Sequence, residues 1–125
     1  MPKRKQPARA PGERRKDSRV CEEDKVVLEL LSEIEPPPPN RVFNALTKDI
    51  SPGGVRLMTN VILPVDSLVR IELVLSKRRK LIQATGIIRW TRSVYGEELF
   101  EMGVEFTEIA LEDKMVLLEH TYKQG

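Results

Sequence analysis

The sequence predicts a mostly β domain, a small barrel of about six or seven antiparallel strands with one C-terminal α-helix. Three observations carry this expectation. From residue 41 onward, short apolar–polar alternations recur with turn residues between them, which is the pattern of half-buried strands. The last stretch, residues 111–122, changes to helical spacing. The chain of 125 residues, 40% hydrophobic and 32% charged, suits one small core.

Residues 1–13 (MPKRKQPARAPGE) are basic, Pro-bearing and nearly free of large apolar side chains, so they are expected to form a flexible arm. Residues 14–24 are densely charged and are expected to act as a linker or loop into the domain, which is assigned to residues 14–125. Residues 26–34 are ambiguous. Val27, Leu30, Leu31 and Ile34 fall at helical spacing, whereas Val26, Leu28 and Leu30 alternate as in a strand; periodicity alone favours helix. Four prolines at 36–39 then end the element, because proline supplies no backbone donor.

Strands are expected over 41–46, after the Pro52-Gly53-Gly54 turn at 55–58, at 68–75 (LVRIELVL), at 81–91 (LIQATGIIRWT) and at 99–106 (LFEMGVEF). Gly86 inside the long strand marks a bulge or a close approach. Residues 76–80 form a polar tip between two strands. Residues 111–122 close the chain as an amphipathic helix with Leu111, Met115, Leu118 and Tyr122 on one side.

The net charge of +2 conceals an asymmetry. Residues 1–19 hold eight basic and two acidic side chains, a net of +6, which leaves −4 for the rest. A basic arm on a mildly acidic body calls for an anionic partner. One cysteine, Cys21, excludes an internal disulfide, and it has no His or Cys at metal spacing. The N-terminus lacks the apolar run of a secretory signal, and nothing approaches a membrane-spanning segment of about 20 apolar residues. A cytoplasmic protein without membrane insertion is expected. With no paired carboxylates in a plausible site, no Ser/His/Asp set and no metal cluster, an enzyme is the least favoured class.

Two short stretches carry chemistry: Arg14-Arg15-Lys16-Asp17-Ser18-Arg19 and Asp49-Ile50-Ser51-Pro52-Gly53-Gly54. They resemble, in order and spacing, the two signature motifs of the PilZ family, RxxxR (Arg15, Arg19) and [D/N]xSxxG (Asp49, Ser51, Gly54). Gly86-Ile87-Ile88-Arg89-Trp90 and Gly103-Val104-Glu105-Phe106 are similar to the family's later strands. The resemblance implies a PilZ-type barrel, which makes residues 26–34 its first strand despite their helical periodicity. It also implies a receptor for cyclic di-GMP with no further cofactor, Arg15 and Arg19 contacting phosphate and base, and Asp49 and Ser51 contacting base edges. Arg14, directly before the first motif arginine, implies a ligand bound as an intercalated dimer.

These residue types suit such a ligand independently of the resemblance. Arginine's planar donor fork binds phosphate oxygens, or guanine O6 and N7, in bidentate fashion. A carboxylate accepts from guanine N1–H and the N2 amine, and a Ser hydroxyl donates to phosphate. Gly53 and Gly54 would permit positive φ and a close ligand approach. The expected mechanism is closure of the arm across the barrel mouth, presenting a new surface to a downstream protein. Each feature also has an ordinary reading. The arm could be a solvated charge run, the Asp–Gly stretch a common turn, Trp90 a packing residue, residues 77–80 a solvated tip and His120 a surface residue. The competing functions are a nucleic-acid-binding module, disfavoured by the lack of a stacking platform, and a PilZ-like adaptor without ligand.

Overall fold

The computed structural model describes residues 23–94, 96 and 98–124. Alternating burial drives its architecture. β1 (Lys25–Leu30), β2 (Val42–Ser51), β3 (Gly54–Thr59), β4 (Leu68–Leu75), β5 (Lys80–Val94) and β6 (Leu99–Ile109) are followed by α1 (Leu111–Gln124). The six strands close into a barrel in the order β1-β2-β3-β6-β5-β4, with β1 pairing β4 to complete it, and every pairing is antiparallel. Inward side chains such as Leu28, Ile50, Leu57, Ile71, Leu73, Ile82, Ile88 and Met102 fill the interior.

The helical periodicity of residues 26–34 is overruled. Val26, Leu28 and Leu30 point inward with at most 1% exposure, while Val27 faces out. β1 has hydrogen-bonded neighbours on both sides, and a helix there would leave β2 and β4 with open edges. Beyond it, Arg41 secures the proline-bearing connection: its Nε and Nη2 donate to the Leu30 and Ser32 carbonyls at 3.2 and 2.6 Å. β2 also runs further than expected, through Asp49 to Ser51, past a register shift between Thr47 and Asp49.

The helix docks by the face opposite its apolar stripe. Leu117, His120 and Thr121 are fully buried, whereas Leu111, Met115 and Tyr122 are exposed and Leu118 is half-buried. His120 is therefore not a surface residue. Its Nδ1 accepts from Arg78 Nε at 2.9 Å, joining α1 to the β4–β5 turn. Burial, reinforced by the Arg78 guanidinium and Lys77 and opposed by Asp24, lowers the imidazole pKa from its usual 6.5. Asp24, itself buried, accepts from Ser76 N at 3.1 Å and donates its own N–H to Thr47 Oγ1 at 2.8 Å, so the entry to β1 is tied to the same end of the barrel. Among the described residues, no helix is long and apolar enough to cross a membrane.

Candidate functional site

The register explains how the second motif becomes a site. Val55 and Leu57 point into the core opposite Val104 and Met102, so the alternating positions Gly54 and Arg56 face outward, opposite Glu105 and Gly103. On the neighbouring strand, the irregularity after Thr47 brings Asp49 opposite Arg56 and Ser51 opposite Gly54. A second irregularity, between Ile88 and Trp90, lets Arg89 and Trp90 both reach the outer surface of β5. The result is an open depression of about 600 Å³ on the outer wall of β2, β3, β6 and β5, lined by Asp49, Ser51, Gly53, Gly54, Arg56 and Arg89 among others. It lies on the outer wall of the barrel.

Two glycines shape this surface. A Cβ on Gly54 would collide with the Val104 carbonyl oxygen, and one on Gly103 would occupy the space of the Trp90 indole. Trp90 is thus a packing residue that covers the backbone at Gly103, still 39% exposed and lining the depression. Neither Gly53 nor Gly54 uses the freedom to adopt a positive φ; among the described residues, Gly96 is the one glycine in that region. Gly54 is needed for close strand approach instead, and a Cβ on Gly53 would meet open space.

The ionisable side chains form an interlocked set. Arg56 Nη2 contacts Asp49 Oδ2 at 2.8 Å, and its Nη1 lies 3.8 Å from Glu101 Oε1. Arg92 donates to the same Glu101 oxygen through Nε at 3.0 Å and Nη2 at 2.8 Å. Arg89 Nε donates to Glu105 Oε1 at 2.6 Å. The Asp49 side chain is only 9% exposed, and Arg56 holds it from the depression side of the strand pair. Arg56 Nε is buried without an acceptor among the described residues. The Ser51 hydroxyl donates to the Gly54 carbonyl at 3.3 Å, and Phe106 N–H donates to the Gly53 carbonyl at 2.9 Å, so the Pro52–Gly53 turn is held from both sides.

Asp49, Ser51, Gly53 and Gly54 are therefore brought together as the sequence implies. Arg14, Arg15 and Arg19 lie outside the described residues. Arg56, Arg89, Glu101 and Glu105 were missed. Arg56 could have been found, since it stands two residues after Gly54 on one strand and must share its face. Among the described residues, no group of three or more His, Cys, Asp or Glu could hold a metal ion.

The family model of the PilZ domain matches residues 13–123, nearly the whole chain. The chain belongs to the PilZ domain family. Several solved structures share its fold. The Bacillus subtilis inhibitor of motility MotI/DgrA superposes with a TM-score of 0.71 at 20% identity, over 90% of this chain and 51% of that one. MrkH of K. pneumonia, solved as a complex with c-di-GMP, gives 0.66 at 20% identity over 90% and 54%. The PilZ domain of YcgR from Escherichia coli, solved with c-di-GMP, gives 0.63 at 13% identity over 89% and 91%. The chain spans about half the length of MotI/DgrA and MrkH. No curated protein sequence matches it. Within the PilZ frame, Asp49, Ser51 and Gly54 occupy the [D/N]xSxxG positions at the end of β2 and the start of β3.

Proposed function

We propose that this PilZ domain is a receptor for cyclic di-GMP and that it signals without catalysing a reaction. The observation that carries this reading is the convergence of Asp49, Ser51, Gly53 and Gly54 on one open depression in a PilZ barrel. Relatives of the same fold, MrkH and YcgR, have been solved with c-di-GMP. In this reading the Asp49 carboxylate accepts from the guanine edge while Arg56 holds it in place. Arg15 and Arg19 bind the phosphates and stack on the bases, and Arg14 recruits a second, intercalated ligand molecule.

The arm, residues 1–13 with the arginines that follow, closes over the outer wall and changes the surface offered to a downstream protein. Ordering the arm costs about 1–2 kcal/mol per residue. Charge-assisted hydrogen bonds of about 1.5–3 kcal/mol each offset that cost when several form together. Calorimetric titration of the full chain with cyclic di-GMP tests the reading. The expected result is saturable binding at two ligands per chain, weakened about tenfold or more by Arg15→Ala and by Asp49→Ala. Arg14→Leu should reduce the stoichiometry to one. Absence of binding, or binding indifferent to Arg15→Ala and Asp49→Ala, would sink the proposal.

A further inference from the structure

The side of α1 turned away from the barrel has the spacing of a coiled-coil seam. Leu111, Met115, Leu118 and Tyr122 are separated by four, three and four residues, the alternation of d and a positions in a heptad. Leu111, Met115 and Tyr122 are 74%, 55% and 59% exposed, values expected of loop tips rather than of large apolar side chains sharing one helix face. At about 100° per residue, these four lie within a narrow stripe almost diametrically opposite Leu117 and His120, which bury against the barrel. Met115, Leu118 and Tyr122 border an apolar groove of about 500 Å³.

The charges beside the stripe identify what covers it. Taking Leu111 and Leu118 as d positions, Lys114 is a g residue, and Glu112 and Glu119 are e residues; all three are exposed, and Glu119, 3.7 Å from Arg78 of its own chain, would share its carboxylate with a partner's cation. In a parallel pair, g of one helix meets e of the next heptad on its partner, five positions on. Lys114 then faces Glu119 of the partner subunit, and the two-fold axis repeats the contact. An antiparallel pair would instead set Glu112 near Glu119 of the partner subunit, a like-charge contact formed twice.

We propose that α1 is the homodimerisation element of this protein, packing parallel against α1 of a second copy through Leu111, Met115, Leu118 and Tyr122. The geometry permits it, because Met115, Leu118 and Tyr122 lie on the side of α1 away from Leu117 and His120, while Leu111 stands at the edge of the barrel near Pro52 and Gly53, so the two barrels end up on opposite outer sides of the helix pair. Each helix is already ordered by its own barrel, through Leu117 and the Arg78–His120 hydrogen bond, so association does not bear the cost of helix nucleation. Two heptads bury little area, so the dimer is weak and concentration-dependent.

Sedimentation equilibrium of the full chain over a concentration series tests this. The average mass should rise from 14.3 kDa towards twice that value. Met115→Glu should keep the protein monomeric with unchanged circular dichroism and melting temperature; if that variant loses structure, Tyr122→Lys serves in its place. Lys114→Glu and Glu119→Lys should each weaken dimerisation several-fold. Mixed together they should restore it as a heterodimer, since both inter-helix contacts become attractive. A wild type that stays monomeric at every concentration overturns the proposal, and so does a dimer that Met115→Glu leaves intact or a mixture no tighter than its components.

Discussion

Gly53 and Gly54 are neighbours in one turn, yet alanine should act on them in opposite directions. At Gly54 the new Cβ would press into the Val104 carbonyl oxygen and stand 3.3 Å from Glu105 Cα, where β3 meets β6. The obstruction is backbone, not the end of a flexible side chain, so the strands must separate; overpacking of this kind costs about 1–3 kcal/mol. At Gly53 nothing stands within 4 Å of the Cβ, and φ lies outside the left-handed region. There alanine chiefly removes freedom from the unfolded chain and stabilises by about 0.4–1 kcal/mol. At this chain length 1 kcal/mol corresponds to about 4 °C in melting temperature. The two variants should therefore melt about 6–16 °C apart, with Gly54→Ala lower. Thermal and urea unfolding followed by far-UV circular dichroism measure the gap. If Gly54→Ala melted at or above Gly53→Ala, the close strand approach would not be what requires glycine at the end of the motif.

Two further substitutions probe the β4–β5 turn and its contact with α1. Because His120 is held neutral, the unfolded chain binds more protons than the folded one below the ordinary imidazole pKa of about 6.5. Its contribution to stability is complete above that pH and is lost as pH falls through the lower folded value; His120→Gln, whose amide oxygen can still accept from Arg78, should flatten this acid slope in melts between about pH 7 and pH 5. Arg79 occupies the left-handed region, φ 52°, in the β4–β5 turn. Arg79→Gly should raise stability by about 0.5–1 kcal/mol while Arg79→Ala should not, and equal melting temperatures for the two would show that the backbone there is unstrained.

The later strands were legible because each buries one face and exposes the other, which writes a period of two into the chain. β1 was not legible from periodicity, because its apolar run satisfies both periods; the family resemblance pointed to a strand there, and the hydrogen-bonded neighbours on either side bear that out. The helix shows a different limit. Periodicity reveals that Leu111, Met115, Leu118 and Tyr122 share a side, but it does not say which side the barrel covers. The covered side includes His120 and Thr121, polar residues admitted to the interior by hydrogen bonds such as those to Arg78 and the Leu118 carbonyl. At the site, Asp49, Ser51 and Gly54 were readable as a motif because they are close in sequence. Arg56, two residues after Gly54 on one strand, was within reach of the same pattern, whereas Arg89, Glu101 and Glu105 join them only through the β3–β6 and β5–β6 registers and a local irregularity, which no linear pattern reveals.

The charges on the outer wall bear on how the proposed receptor would divide its work. Asp49, Glu101 and Glu105 face Arg56, Arg89 and Arg92 across contacts of 2.6 to 3.8 Å, three carboxylates against three guanidiniums. Such a set is close to neutral, so it exerts little long-range pull on a doubly phosphorylated ligand. Its strength is positional, because paired side chains hold hydrogen-bonding groups in fixed directions, and that suits reading a base edge. In the proposed reading, the attraction for phosphate comes from residues 1–19, with a net charge of +6. In the proposed reading, neither part suffices alone: a wall without the arm would recognise guanine but bind it weakly, and an arm without the wall would hold any polyphosphate. Selectivity for a cyclic guanine dinucleotide would then arise because the arm gains ordered contacts only where the wall has already fixed a base, which would also make arm closure a faithful report of ligand identity to whatever protein meets the closed surface.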